Sequence, residues 1–249
     1  MSFSQRLSEM NWLSESEFEL DGVRYVNMDF GARSDDGRLA VLKPRYYFDA
    51  YEEALRGHTV ERMVEFGVFQ GGSTMLMASL CQPKAIVAID ICDPVEAFDR
   101  FRARNPGLTE GMVVKYNTSQ DDAEALERVF DEAFDGPLDL VIDDACHWYA
   151  QTRRSFEIAF PRLRPGGLYV IEDWHWAHTP EFDIWHDQGS PVNLLTDLML
   201  VQAARPELID TIRISHGVAV VRKGPKAPVG EPLDIETTRL LRGRPAPAL

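Results

Sequence analysis

The sequence predicts an α/β fold: a mostly parallel sheet with helices on both faces. Three observations predict it. From residue 61 onward, short apolar runs alternate five times with stretches of helical spacing, the pattern of strand–crossover–strand units. The 249 residues, 45% of them hydrophobic, suffice for one full core. Two β-rich runs then meet across Ser215-His216-Gly217, so a tight hairpin sets one antiparallel strand into the sheet.

The elements follow in order. Residues 1–44 are mixed in character, with a short hairpin expected around Asp21-Gly22 and a loop at GARSDDGR. Residues 45–56 read as a helix, with Tyr46, Tyr47, Ala50 and Leu55 near one face. Strands are expected at 62–66, 85–90, 112–117, 138–143 and 167–172. Helices are expected over TMLMASL, EAFDRFRAR, 121–134, YAQTRRSFEIAFPRL with a break near Pro161, and VNLLTDLMLVQAARPEL. IDTIRIS and GVAVVRK form the closing pair. Residues 223–249 hold five prolines, so a surface-lying or mobile tail is expected. The organisation predicted is an N-terminal lid or substrate segment (1–44), a core domain (45–222) and a tail (223–249).

The net charge is −14. Such a surface repels phosphate backbones and anionic membranes, which argues against nucleic acid and membrane partners. Three cysteines, an odd number, form no paired framework and fit reduced thiols in the cytoplasm. The first residues lack a continuous apolar run, so no secretory signal is expected, and no run is long enough to span a bilayer.

Ligands of open parallel sheets bind at the carboxyl ends of strands. At one such end stands EFGVFQGGST, with Glu65, Gly67, Gly71, Gly72 and Ser73. The dinucleotide fingerprint needs a glycine where Phe69 stands, and no Gly-Lys-Ser/Thr follows, so neither a dinucleotide nor a nucleoside triphosphate is expected. A nucleoside with an amino-acid tail fits better. Gly67 and Gly71 leave room for backbone contact, the helix start with Ser73 receives a carboxylate, and Glu65 accepts from an ammonium group. Asp90, 23 residues after Gly67, stands where a carboxylate bridges two ribose hydroxyls. Taken alone, the loop is an ordinary glycine turn with a capping serine. With Asp90 in its place, the ligand reading prevails.

These residues, in this order and with the closing hairpin, resemble the class I S-adenosylmethionine-dependent methyltransferases over roughly residues 60–222. The resemblance implies a Rossmann-like, seven-stranded mixed sheet ordered 3-2-1-4-5-7-6. It places Glu65, Gly67, Gly71 and Ser73 on the methionine part of S-adenosylmethionine and Asp90 on its ribose. Ser119, Gln120 and Asp121 then lie against the adenine.

In that order the fourth and fifth strands are neighbours, about 4.8 Å apart. The fourth ends at Asp143-Asp144 with His147 beyond; the fifth ends at Glu172-Asp173. Four carboxylates on one sheet edge repel one another, and a cation relieves them. Oxygen donors favour Mg²⁺, Mn²⁺ or Ca²⁺ over zinc. D-D-x-x-H, followed by PGGLYVIED and an aromatic loop, resembles the metal-dependent sugar O-methyltransferases of macrolide glycosides. Actinobacterial polymethylated polysaccharides are an equally compatible target. That resemblance implies Asp144, Glu172 and Asp173 as ligands of Mg²⁺ or Mn²⁺ and His147 as general base. Cys146 is then a small neutral filler. Asp143 is either a strand-end cap or a cofactor contact.

Four of the five tryptophans, Trp148, Trp174, Trp176 and Trp185, fall in residues 148–185. Aromatic faces stack on sugar C–H faces, so Trp174, His175 and Trp176 are candidate substrate residues, with Tyr46 from the N-terminal side. At least one tryptophan is expected in the core, and Trp174 and Trp176, alternating in extended chain, should not share one surface. Lys43 and Arg45 are further candidates to reach cofactor or substrate. His175, His178, His186 and His216 are otherwise expected to be structural, and a metal held by His175 and His178 ranks below the carboxylate site. A homo-oligomer, a dimer, is expected. The competing functions are methylation of a small phenol or catechol, a cephalosporin-hydroxylase-like relative with other chemistry, and a nicotinamide oxidoreductase, which Phe69 disfavours.

Overall fold

The computed structural model describes residues 1–179 and 188–246. Trp185, His186 and Pro247 lie outside the described residues. The chain divides into two compact units, Met1–Thr118 and Ser119–Leu249.

The first unit opens with α1 (Phe3–Ser8), started by a reciprocal capping box between Ser2 and Gln5. Four strands follow: β1 (Asn11–Trp12), β2 (Glu17–Leu20), β3 (Val23–Asn27) and β4 (Leu39–Val41). They form a sheet of their own in the order β1-β2-β3-β4. The β2–β3 hairpin turns on Asp21-Gly22, as the sequence predicts. Both turn residues have positive φ, 52° and 75°, the mirror-image geometry that matches strand twist. The β1 and β4 strands are not foreseen from the sequence.

Next come α2 (Arg45–Leu55), β5 (Arg62–Phe66), α3 (Gly72–Cys81), β6 (Ala85–Ile89), α4 (Glu96–Arg104) and β7 (Met112–Lys115). β5, β6 and β7 pair in parallel, Val64 opposite Val87 and Val87 opposite Val113. The central residues of β5 and β6 are buried on both faces, as mostly apolar runs in a covered parallel sheet require, while Val113 and Val114 of the edge strand β7 are half-buried.

The second unit contains α5 (Ala123–Ala133), β8 (Leu138–Asp143), α6 (Tyr149–Ala159), β9 (Leu163–Glu172), α7 (Pro191–Ala204), β10 (Ile209–Ile214), β11 (Val218–Lys223), α8 (Ile235–Thr238), β12 (Leu240–Leu241) and β13 (Arg244–Pro245). α6 ends at Ala159, and a single 3₁₀ turn over Phe160–Arg162 leads directly into β9. β9 begins at Leu163, four residues before the predicted start. A register shift against β8 between Leu138 and Leu140 absorbs Pro165-Gly166-Gly167 into the strand. β11 runs antiparallel to β9, and β10 antiparallel to β11.

The main sheet has seven strands in the order β10-β11-β9-β8-β5-β6-β7. Counted within the α/β repeat, this is 3-2-1-4-5-7-6 read from the other edge, the order the sequence predicts. Residues 224–246 are anchored more firmly than a surface tail. Ala227 and Ile235 are buried, and Arg239 forms a buried ion pair with Asp197 of α7. The proline count conceals these anchors. Among the described residues, no helix is long and apolar enough to cross a membrane.

Candidate active site

In the first unit, the loop between β5 and α3 reverses through three left-handed residues: Gly67 (φ 98°), Phe69 (49°) and Gly71 (80°). Asp90, just past β6, sets its shape. Its Oδ2 accepts the N–H groups of Val68 and Phe69 at 2.7 and 3.0 Å, and its Oδ1 accepts that of Cys92 at 2.9 Å. A carboxylate offers about four acceptor sites, so most of its capacity goes to the loop. Glu65 is buried on β5, and Ser73 Oγ donates to its Oε1.

The glycines answer packing as well as ligand. A Cβ on Gly71 would meet the Phe98 ring at 2.1 Å, and one on Gly72 would meet the carbonyl oxygen of Ala40, on β4, at 2.0 Å. The loop is also strapped from the N-terminal segment. Ser34 N–H donates to Gln70 Oε1 at 3.0 Å and Ser34 Oγ to the Gln70 carbonyl at 2.7 Å. Sequence reasoning misses Ser34, because nothing local marks a contact spanning 36 residues.

The three N-terminal candidates separate. The Lys43 side chain is buried, and its backbone exchanges two hydrogen bonds with the Asn27 carboxamide at 2.8 and 3.0 Å. Arg45 lies over the Trp12 ring, 3.6 Å from its centroid. Tyr46 is exposed, its ring edge-on to Tyr47.

In the second unit, the β8 terminus splits the two aspartates. Asp143 faces inward, accepting from Ser155 Oγ at 2.5 Å, Tyr169 Oη at 2.7 Å and Gln120 Nε2 at 3.1 Å. Burial pushes its carboxyl up to about 6, against those three donors. Asp143 is thus a core carboxylate tied to side chains of the protein itself. Gln120, expected against the adenine, is likewise turned inward. Its neighbours differ: Ser119 and Asp121 bond to each other at 2.5 Å, and Asp121 is exposed.

Asp144 faces the other way. His147 Nε2 lies 4.0 Å from Asp144 Oδ1 and 3.9 Å from Asp173 Oδ2. One ligand atom from each of Asp144, His147 and Asp173 falls within 4.8 Å of the other two. Glu172 is fully buried at the end of β9, opposite Val218, and is not one of this trio. His147 and Asp173 both adopt left-handed backbone, φ 54° and 53°. For residues other than glycine this costs about 1–2 kcal/mol each, and such strain concentrates at functional sites. Two carboxylates and an imidazole make an oxygen-rich donor set suited to a small hard cation. The Cys146 thiol is pushed up to about 12 by burial and stays neutral.

The turn between β10 and β11 supports this cluster. Asp173 N–H donates to the Gly217 carbonyl at 2.7 Å, and Trp174 Nε1 to the Ser215 carbonyl at 3.0 Å. Trp176 instead packs on His147. The two tryptophans do point to different partners. The cause is the tight turn after Asp173 and the 3₁₀ turn over Trp176–His178, not extended chain. His175 stacks obliquely on His216, with centroids 4.5 Å apart. Burial, then the charges of neighbouring imidazoles, lowers the His175 pKa.

Residues 64–174 match a family described as a methyltransferase domain. The chain is 31% identical over 240 residues to the mycinamicin VI 2''-O-methyltransferase of Micromonospora griseorubida, covering 82% of this chain and 56% of that one. It is 33% identical over 143 residues to the L-olivosyl-oleandolide 3-O-methyltransferase of Streptomyces antibioticus, covering 55% of this chain and 33% of that one. It therefore spans about half, or less, of the length of these curated relatives. Among solved structures it resembles the methyltransferase MycE of the mycinamycin biosynthetic pathway, in complex with Mg, SAH and mycinamycin VI. The TM-score is 0.56 at 31% identity, over 72% of this chain and 49% of that one. Sheet order, domain match and relatives agree: the chain has the fold of the class I methyltransferases, residues 64–174 match a methyltransferase domain, and the two curated relatives named here are sugar O-methyltransferases.

Proposed function

We propose that the chain is an S-adenosylmethionine- and Mg²⁺-dependent O-methyltransferase acting on a sugar hydroxyl. The observation that carries this reading is the convergence of Asp144, His147 and Asp173 at the ends of β8 and β9. The relatives named for sugar O-methylation support the acceptor class.

In this reading Glu65, Gly67, Gly71 and Ser73 hold the methionine part of the donor. Asp90 reaches the ribose with the acceptor capacity its loop contacts leave. Ser119 and Asp121 line the adenine side. Asp144 and Asp173 hold the cation, with the buried Glu172, adjacent to Asp173 in the chain, as the third candidate carboxylate. When bound, the cation lowers the pKa of an acceptor hydroxyl and fixes its orientation. His147 Nε2 takes the hydroxyl proton, a task suited to the side chain that titrates nearest neutral pH. The acceptor oxygen forms its bond to the methyl carbon in line with the breaking carbon–sulfur bond, and the donor leaves as a neutral thioether. Trp174, His175, Trp176 and Tyr46 are the candidate contacts to the acceptor.

Transfer of labelled methyl from S-adenosylmethionine tests the reading, with rhamnosyl and macrolide glycosides screened against catechols. Label on glycosides that disappears with chelator is the expected result. Label on catechols alone would replace the acceptor class. Thermal stabilisation by NAD⁺ and not by S-adenosylhomocysteine would sink the reading altogether. His147→Ala should lower turnover by about 10²–10⁴-fold and leave S-adenosylhomocysteine binding within twofold.

A further inference from the structure

The turn that carries Asp144 and His147 is closed from beneath by one carboxamide. Gln120 is 7% exposed. Its Nε2 donates to both oxygens of Asp143, at 3.1 and 3.3 Å, and to Ser155 Oγ at 3.2 Å. Its Oε1 accepts the Cys146 N–H at 3.1 Å. One side chain therefore ties the residue before Asp144 to the residue before His147.

We propose that Gln120 is a positioning residue for the turn bearing the cation ligand and the base, rather than an adenine contact. This rests on the functional reading above. The turn needs such a tie, because His147 sits in left-handed backbone. A strained conformation persists only where its surroundings over-determine it. The chemistry of the clamp is specific to a carboxamide. Its NH₂ serves a carboxylate and its oxygen serves a backbone N–H. A carboxylate at position 120 would lose the donor, and an aliphatic side chain would lose both. Ser155 from α6 and Tyr169 from β9 complete the grip on Asp143, so the clamp is anchored to two elements of the core.

The test uses the full chain and two probes, Mn²⁺ and S-adenosylhomocysteine, with melting temperature as the control for folding. Gln120→Met keeps the side-chain length and removes both the Nε2 donor and the Oε1 acceptor. It should weaken Mn²⁺ at least tenfold while S-adenosylhomocysteine stays within twofold. Ser155→Ala, which removes one donor to Asp143 and leaves Gln120 in place, should weaken Mn²⁺ in the same direction by a smaller factor. It decides the matter if Gln120→Met does not fold. Loss of S-adenosylhomocysteine affinity with Mn²⁺ unchanged would overturn the proposal in favour of an adenine contact. Unchanged Mn²⁺ affinity in a folded variant would overturn the clamp alone. A wild-type chain that binds no Mn²⁺ would overturn the underlying cation site, and the positioning role with it.

Discussion

The imidazole of His147 packs against the indole of Trp176, with ring centroids 5.0 Å apart and planes tilted by 58°. Trp176 N–H in turn donates to the Asp173 carbonyl at 3.1 Å. One tryptophan thus braces the proposed base from the backbone of a proposed ligand. Aromatic pairs of this geometry contribute about 0.5–1.5 kcal/mol beyond area burial. Trp176→Leu should therefore lower turnover roughly 2–12-fold, with S-adenosylhomocysteine affinity within twofold. Unchanged turnover would remove Trp176 from the machinery.

Arg239 and Asp197 form a wholly buried pair, 3% and 1% exposed, and Tyr149 Oη donates to the same carboxylate at 2.7 Å. Removing one member leaves a buried charge uncompensated, which costs about 3–5 kcal/mol. Arg239→Ala should lower the melting temperature by roughly 6–20 °C. Arg239→Met combined with Asp197→Leu should recover most of that loss. A double variant no more stable than the single one would show that the charges are not the issue.

Lys223 is fully buried, and its Nζ donates to the carbonyls of Pro161 and Leu163 at 2.7 and 2.8 Å. Burial lowers its pKa from 10.5 to about 8. Between those values the unfolded chain holds a proton that the folded chain has released, so this group makes stability rise with pH. The melting-temperature difference between wild type and Lys223→Met should shift in favour of wild type as pH goes from 8 to 10. A difference that stays flat across that window would contradict the assignment.

Gly71 lies at φ 80° with the Phe98 ring 2.1 Å from the place its Cβ would take. Gly71→Ala should weaken S-adenosylhomocysteine more than tenfold. Adding Phe98→Ala, which removes the Cγ and Cδ atoms that the new Cβ would meet, should restore part of that loss, leaving the backbone cost of about 1–2 kcal/mol. Full restoration would mean that the positive φ is unimportant. No restoration would mean that the ring is not the obstacle.

The main sheet was legible because its parallel strands are short, mostly apolar runs, with β8 buried over its entire length. What stayed hidden depends on contacts between distant residues. The strand β1 has two residues and β4 three, too short for any periodicity to register. The direction of Asp143 is set by Ser155 and Tyr169, 12 and 26 residues away, so two adjacent aspartates look alike in the sequence and differ in the fold. Gly72 reads as part of a glycine loop, yet its constraint comes from Ala40 on another sheet. The spacing of Asp144 and His147 was visible because it lies within one turn. The approach of Asp173 to the same imidazole depends on how β8 and β9 align.

The bond from Asp173 N–H to the Gly217 carbonyl also has a bearing on biosynthesis. Asp173 acquires this backbone partner only after the chain has grown 44 residues past it and turned back through β11. A nascent chain stalled before that hairpin holds Asp144 and His147 while Asp173 lacks this one bond. The cluster of Asp144, His147 and Asp173 therefore gains this backbone bond only late in translation.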